Sequence, residues 1–129
     1  MRLLLDTHVL LWWFNEPERL REACRAAIAD EGNIVLVSSV TIWEAGIKQS
    51  LGKLTLKKPA EAWLPEVLQR SGFEVAELGL AAALRVRSLA WHHRDPFDRL
   101  LIAQALEDGY TLVTHDEAFA SYGAPLIRA

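Results

Sequence analysis

The 129-residue chain has a single cysteine and no long apolar run. Because Cys24 has no partner within the chain, an internal disulfide is excluded, and we expect a reducing, cytoplasmic location. Cys24 shares an apolar helical face with Leu20 and Ile28, which favours a buried core thiol over the alternative of a catalytic one. No segment reaches the roughly 18 apolar residues that span a bilayer, so we expect no membrane association. The apolar N-terminus carries Asp6 and lacks a small-residue cleavage site, which argues against a signal peptide.

The chain also lacks a glycine-rich phosphate loop, internal repeats and low-complexity stretches. The first absence disfavours nucleotide hydrolysis of the P-loop type, and the others predict one domain over residues 1–129. Hydrophobic residues make up 51% of the chain, which is enough for a packed core. The formal net charge of −3 gives no support for nucleic-acid binding, although cations bound to acidic residues would offset it.

Short β-branched or apolar runs alternate with longer helical patterns along the chain. The predicted strands are 2–5, 34–37, 73–77 and 110–113, with a short last strand at 124–127. The predicted helices are 7–14, 17–30, 39–51, one that begins at Pro59, 80–91 and 96–108. This alternation predicts a parallel α/β sheet with helices on both faces. In such sheets ligands bind at the carboxyl ends of the strands, near the point where the strand order reverses.

Four carboxylates stand in apolar sequence, where an unpaired charge is costly. They are Asp6, Glu44, Asp98 and Asp116. Asp6 ends the first strand, Asp116 lies just beyond the 110–113 strand, and Glu44 is in the first turns of the helix after the second strand. At least three of them therefore reach one rim of the sheet, and such a cluster predicts a cation site. Oxygen ligands without cysteine or a histidine pair favour Mg²⁺ or Mn²⁺ over zinc.

Each acid also has a purely structural explanation. Asp6 and Asp116 are suitable helix N-caps, and Asp95, which precedes Pro96, is best explained as one. Asp98 in a first helical turn would complement the helix dipole. Glu44 is hardest to explain structurally, because it lies beyond the first turn on an apolar face.

The four histidines are weaker candidates. Adjacent side chains on a helix point apart, so His92 and His93 cannot both reach one metal, and we expect loop or surface positions with substrate contact as the alternative. His8 and His115 each neighbour a candidate ligand. We expect packing roles for both, with support of the ligands as the alternative.

Four segments follow one another in the order and spacing of a known family: LLDTH at 4–8, SSVTIWE at 38–44, HRDPFDRLLIAQA at 93–105 and LVTHD at 112–116. Through them the chain resembles the PIN-domain ribonucleases, and among these the VapC-type toxins of bacterial and archaeal toxin–antitoxin pairs. The resemblance places the four acids at the family's acidic quartet, with Asp95 as a less certain fifth position. It implies a three-layer α/β/α sandwich around a mainly parallel sheet, RNA cleavage that depends on Mg²⁺ or Mn²⁺, homodimers, and a VapB-type antitoxin as partner.

The chemistry so implied is metal-assisted hydrolysis of RNA phosphodiester bonds, in which cations lower the pKa of water and stabilise the leaving oxygen. Thr7 and Thr114 would orient ligands through their hydroxyls, with a plain strand-end role as the alternative. Arg94 and Arg99, beside the acids, are the best candidates for contact with the RNA backbone.

Other functions remain open at the level of sequence. A non-catalytic RNA- or protein-binding module would keep the fold without cleaving, although the intact acids argue against it. A DNA-directed nuclease or a phosphatase would use the same metal chemistry. Cleavage assays with RNA, DNA and simple phosphomonoesters separate these alternatives.

Overall fold

The computed structural model describes residues 1–129. Its strands are β1 (Arg2–Leu5), β2 (Ile34–Ser38), β3 (Glu74–Ala76), β4 (Thr111–Thr114) and β5 (Leu126–Arg128). Its α-helices are α1 (Thr7–Asn15), α2 (Glu22–Ala29), α3 (Ser39–Ser50), α4 (Ala60–Ser71), α5 (Leu80–Arg85) and α6 (Pro96–Asp108). Short 3-10 segments occupy Pro17–Arg19, Val86–Ser88 and Glu117–Tyr122. None of the helices is long and apolar enough to cross a membrane.

All five strands form one parallel sheet in the order β3-β2-β1-β4-β5. The central strand β1 pairs with β2 on one side and with β4 on the other, so Leu4 lies between Leu36 and Leu112. The chain first builds the sheet outward through β2 and β3, and then returns to the opposite side of β1. The strand order therefore reverses between β1 and β4, where such sheets bind ligands at their carboxyl edge.

The sheet separates two apolar cores because successive strand residues point to opposite faces. Leu3 and Leu5 belong to one core, to which α1, α2 and α4 contribute. Leu4 belongs to the other core, which also contains Leu101, Ile102, Ala103 and Ala105 of α6. Both faces of β1 are fully buried, as expected for a parallel sheet covered on two sides. The predicted three-layer α/β/α sandwich is confirmed.

Two of the predicted helices are shorter than their sequence patterns indicate. The prediction of one continuous helix over 17–30 is wrong, because Leu20 and Arg21 have extended backbones that separate Pro17–Arg19 from α2. The prediction of a helix over 80–91 is also wrong, since α5 ends at Arg85 and the chain is extended at Leu89.

The early end of α5 has a physical cause in α6. The guanidinium of Arg99 donates hydrogen bonds to four backbone carbonyls of the segment that follows α5, at 2.9–3.3 Å. These carbonyls belong to Val86, Leu89, Ala90 and His93. An arginine side chain thus satisfies acceptors that a longer helix would satisfy with its own amides.

The ends of α3 and α6 agree with the predicted capping residues. The Ser38 hydroxyl accepts a hydrogen bond from the amide of Val40, and the Asp95 carboxylate caps α6. Gly109 ends α6 with a φ of 73°, a left-handed conformation that glycine adopts without steric cost. These caps fix where α3 and α6 begin, and therefore how their first turns face the carboxyl edge of the sheet.

Candidate active site

The four candidate acids lie at the carboxyl edge of the sheet. Asp6 directly follows β1, and Asp116 follows β4 by two residues. Glu44 lies on α3, which leaves the end of β2. Asp98 lies in the first turn of α6. This helix leads into β4, so its first turn lies at the edge where the parallel strands end. Because β1 and β4 are neighbours in the sheet, Asp6 and Asp116 follow adjacent strands.

Asp6 is buried and held at both carboxylate oxygens. Its Oδ1 accepts a hydrogen bond of 2.8 Å from the amide of Val9 and so caps α1. Its Oδ2 accepts a short hydrogen bond from the hydroxyl of Thr114, and Nδ1 of His115 lies 3.8 Å from the same oxygen. The contact with the Asp6 carboxylate is the main cause of a raised pKa at His115. One carboxylate oxygen of Asp6 therefore caps α1, and the other contacts Thr114 and His115.

Glu44 is buried at 3% exposure and also has two partners. The hydroxyl of Thr7 donates a 2.6 Å hydrogen bond to Oε1, and the ammonium group of Lys48 contacts Oε2. Burial acts to lower the pKa of Lys48, but the hydrogen bond to Glu44 and the charges of Asp95 and Asp98 outweigh it and raise that pKa. Lys48 is thus a cation held within the acidic cluster.

Asp98 carries the largest electrostatic perturbation among the four acids. Burial, and then the negative charge of Asp95, raise the pKa of Asp98 to about 7, and the charges of Glu44 and Asp6 act in the same direction. Asp95 is itself engaged as the cap of α6, since its Oδ1 accepts from the amides of Phe97 at 2.8 Å and Asp98 at 3.1 Å. The concentration of negative charge at Asp98 is what a bound cation would relieve.

Asp116 faces Asp98 across the ring of His93. Nε2 of His93 lies 2.9 Å from Oδ2 of Asp116 and 3.0 Å from Oδ2 of Asp98. Oδ1 of Asp116 accepts a hydrogen bond of 2.9 Å from the amide of Ala118. Burial opposes ionisation of Asp116, yet the hydrogen bonds from Ala118 and His93 lower its pKa overall. Asp116 is therefore ionised more readily than Asp98, whose ionisation is opposed by burial and by nearby negative charge.

The donor set fits a hard divalent cation. The nearest ligand atoms of Asp98, Asp116 and His93 lie within 4.8 Å of one another, as do those of Asp6, His8 and His115. The negative charges of Glu44 and Asp6 also act on Asp98. Carboxylate and hydroxyl oxygens are the ligands that Mg²⁺ and Mn²⁺ prefer, and neither group of ligand atoms includes a cysteine that would favour zinc.

The structure places Arg99 away from any substrate, in contrast to the predicted RNA contact. Its side chain is only 4% exposed, and its guanidinium is used by backbone carbonyls. The exposed indole of Trp91 covers it, with the guanidinium carbon 3.8 Å from the ring centroid. Arg99 therefore has a structural role, because none of its charge faces solvent. Arg94 is exposed and remains available for phosphate contact.

Two side chains beside the acids, Lys48 and His93, were not predicted there from the sequence. Lys48 follows Glu44 by four residues on one helix, a spacing that indicates an ion pair. His93 was expected in a loop, and it does lie in the irregular segment between Val86–Ser88 and α6. Its position two residues before Asp95 was the available indication that the ring lies beside the acids.

Comparison with known proteins identifies the family of nearly the whole chain. The family model of the PIN domain matches residues 3–125. The chain is 32% identical over 128 residues to the ribonuclease VapC22 of Mycobacterium tuberculosis, which covers 95% of this chain and 93% of that protein.

Three solved VapBC assemblies have a similar fold. The structure of VapBC2 from Rickettsia felis, bound to a DNA fragment from its promoter, matches with a TM-score of 0.75 and 17% identity over 100% of this chain and 99% of that one. VapBC-1 from nontypeable Haemophilus influenzae gives a TM-score of 0.71 with 17% identity, and covers 99% of this chain and 98% of that one. DNA-bound VapBC from Salmonella typhimurium gives 0.69 with 21% identity at the same coverage. At these identities the likeness concerns the fold.

Proposed function

This chain belongs to the PIN-domain family, among its VapC-type toxin nucleases, and from that premise we propose that it is a Mg²⁺- or Mn²⁺-dependent endoribonuclease. Residues 1–129 act as one PIN domain in this proposal. The observation that carries it is the convergence of four acids at the reversal point of a parallel sheet. A fold alone would not require this arrangement, because repulsion among the acids destabilises the metal-free protein.

Asp6, Glu44, Asp98 and Asp116 would hold the cation. When bound, a divalent cation supplies a lowered pKa for water and stabilises the charge that develops on the leaving oxygen of a phosphodiester. The raised pKa of Asp98 supports this role, since repulsion within the cluster favours whatever brings positive charge into it. The chain's own contribution is to hold these oxygens in place before substrate arrives.

Two threonines fix the orientation of the ligands. Thr7 donates to Glu44, and Thr114 donates to Asp6, so each hydroxyl leaves the carboxylate fewer rotamers. Lys48 contacts the other oxygen of Glu44 and places an ammonium group near Asp98. We assign Lys48 to balance negative charge in the metal-free site.

Phosphate contact falls to cations outside the acidic cluster. With Arg99 buried, the exposed Arg94 is the nearest candidate on the segment that carries His93. Contacts to phosphate position RNA without reading its bases, and they weaken as salt concentration rises. Arg94 therefore contributes to affinity for RNA and leaves the choice of cleavage sequence to other groups.

A VapB-type antitoxin is the second partner that we propose. Several solved structures of similar fold are VapBC assemblies, and this chain offers a groove of about 720 Å³ between α1 and α4. Its apolar lining includes Leu11, Trp12, Phe14, Leu54, Leu56, Trp63 and Val67. Lys57, Lys58 and Arg70 line the same groove together with Glu16 and Glu66, and Glu66 forms ion pairs with Lys58 and Arg70, so the basic groups exceed the acidic ones by one. An amphipathic segment whose apolar face fills the groove complements such a surface.

A homodimer is proposed from the apolar surface on the opposite layer. Leu80 and Leu84, four residues apart on α5, are 77% and 67% exposed, and Trp91 is 72% exposed. Monomeric soluble proteins rarely leave large apolar groups together in water. A second copy of the chain would bury them.

The decisive experiment measures cleavage of labelled RNA and DNA oligonucleotides by antitoxin-free protein, with Mg²⁺, Mn²⁺ or EDTA. We expect cleavage of RNA that requires metal and is lost in Asp6→Asn. Asparagine still caps α1, so the thermal unfolding midpoint of this variant should stay close to that of wild type. Because partners of a metal ligand typically contribute 10–100-fold to activity, loss of a direct ligand should reduce cleavage by at least about 100-fold.

Glu31→Gln is the matched control. It also removes one negative charge, but Glu31 is exposed in the turn before β2, at the opposite edge of the sheet. This variant should cleave as wild type does. Metal-dependent cleavage that survives in Asp6→Asn would overturn the assigned site, and cleavage of DNA alone would replace the proposed substrate. RNA binding without any cleavage would favour a binding module.

A further inference from the structure

The ring of His93 occupies the space between two of the proposed ligands. Its Nε2 forms a hydrogen bond of 2.9 Å with Oδ2 of Asp116 and lies 3.0 Å from Oδ2 of Asp98. The side chain is 15% exposed, and its ring packs edge-on against the buried ring of Phe119, 5.6 Å away. His93 is thus a part of the site that the mechanism above leaves without a role.

The other ring nitrogen identifies the tautomer. The backbone amide of Asp95 donates a hydrogen bond of 3.1 Å to Nδ1 of His93. A backbone N–H group is always a donor, so Nδ1 must present its lone pair and the proton of the neutral ring must be on Nε2. Nε2 therefore donates to Asp116 and faces Asp98.

This tautomer excludes direct metal ligation by His93. A histidine binds metal through a nitrogen lone pair, and neither nitrogen has a free one while the contact with Asp95 is present. Although the ligand atoms of His93, Asp98 and Asp116 lie within 4.8 Å of one another, only the two carboxylates can serve as ligands. The role left to the ring is that of a hydrogen-bond donor between them.

The backbone around His93 is unusually well fixed for an irregular segment. Its amide donates a 2.8 Å hydrogen bond to the hydroxyl of Tyr122, and this hydroxyl donates at 2.8 Å to the carbonyl of Ala90. The carbonyl of His93 accepts from Arg99 at 3.2 Å. The buried guanidinium thus anchors the segment on both sides of the ring. Such support is typical of groups whose position matters to a site.

We propose that His93 is a positioning residue which, through a neutral Nε2–H group, holds the carboxylates of Asp98 and Asp116 at a spacing that one divalent cation can bridge. The inference rests on the proposed metal-dependent function and adds to it a donor that is neither ligand nor proton carrier. Its role is to hold the two carboxylates in a fixed arrangement before the cation arrives, so that metal binding does not have to order them, which raises the affinity for metal.

Two substitutions separate the two nitrogens. His93→Gln places an N–H donor at about the reach of Nε2, whereas the shorter amide of His93→Asn reaches only the position of Nδ1, where its oxygen can accept from the amide of Asp95. Mn²⁺ binding, measured by titration calorimetry without RNA, and metal-dependent RNA cleavage are compared for wild type and both variants. His92→Gln is the control, because His92 is exposed and its ring packs against that of Tyr122. Thermal unfolding confirms that each variant is folded.

We expect Mn²⁺ affinity within about threefold of wild type in His93→Gln and a loss of at least about tenfold in His93→Asn, with cleavage following the same order. Two variants that both retain wild-type affinity would show that no donor is needed. Two variants that are equally impaired would show that the ring acts as a ligand or as a cation. Either result overturns the inference. Wild-type protein that neither binds Mn²⁺ nor cleaves RNA would overturn the proposed function itself.

Discussion

The hydroxyl of Thr7 donates a hydrogen bond of 2.6 Å to a carboxylate oxygen of Glu44, and both side chains are buried. Thr7 is the first residue of α1, directly after Asp6, so this bond ties two proposed ligands to each other through one residue. Thr7→Val keeps the shape and removes the donor. We expect RNA cleavage to fall by about 10–100-fold, because partners of a metal ligand have effects of this size.

Two further variants make the Thr7 result specific. Thr7→Ser restores a hydroxyl and should recover most of the lost cleavage rate. Thr111→Val is the same substitution on β4, at a partly buried position outside the site, and should have no effect on cleavage. If Thr7→Val cleaved RNA as wild type does, the role assigned to this hydrogen bond would be wrong.

Arg99 should prove more important for stability than for RNA affinity. Lysine at position 99 would lack the planar fork that reaches four carbonyls. Since each buried carbonyl left without a donor costs about 1–3 kcal/mol, we expect Arg99→Lys to lower the free energy of unfolding by at least about 2 kcal/mol. Urea-induced unfolding measures this change.

Arg87 supplies the control for Arg99. It lies in the 3-10 segment that Arg99 holds, but its own side chain is exposed, so Arg87→Lys should unfold at the urea concentration of wild type. The opposite pattern would restore the original sequence-based prediction. In that pattern Arg99→Lys would keep wild-type stability and would weaken RNA binding in a salt-dependent way.

The thiol of Cys24 should react slowly with alkylating agents in the native protein. Burial, and then the negative charge of Asp6, raise the pKa of this thiol to about 11 from its ordinary value of 9.0. Only the thiolate reacts, so we expect the native alkylation rate to keep rising with pH up to about 11, whereas the unfolded chain should reach its plateau near pH 9. Mass spectrometry of iodoacetamide adducts, with and without urea, measures both rates. Equal rates at pH 8 would contradict the buried environment.

The apolar surface of α5 should control the association state. Leu84→Glu places a charge where we propose that a second copy packs, and we expect the dimer to dissociate to a monomer in light-scattering measurements. Leu51→Glu introduces the same charge at a residue that is 62% exposed, just after α3. That variant should remain dimeric. A wild-type monomer, or a dimer insensitive to Leu84→Glu, would remove this surface from consideration.

Much of the fold could be predicted because its determinants are local. The alternation of side chains in β1 and β2, the Asp95 cap and the left-handed Gly109 all act within a few residues of where they occur. At least three of the four acids could be placed on one rim for the same reason, since Asp6 and Asp116 follow strands and Glu44 lies in the first turns of the helix after β2. The topology then brings those positions together.

The remaining features depend on contacts that local patterns do not encode. Whether Arg99 faces phosphate or protein is decided by backbone carbonyls 6–13 residues earlier, in the segment that follows α5. The donor role of His93 likewise depends on Tyr122, 29 residues away, and on an amide of the following helix cap. A periodicity of apolar residues predicts neither the contacts of Arg99 nor those of His93.

Two of the proposed ligands, Asp6 and Asp116, also cap the helical segments that follow them. A single-base change of an aspartate codon gives asparagine, which caps nearly as well but has lost the charge that a cation requires. If the chain is the toxin that we propose, such a change would stop cleavage and leave a folded chain that still binds its antitoxin. The double use of these side chains thus puts folded, inactive chains one base change away from the native sequence.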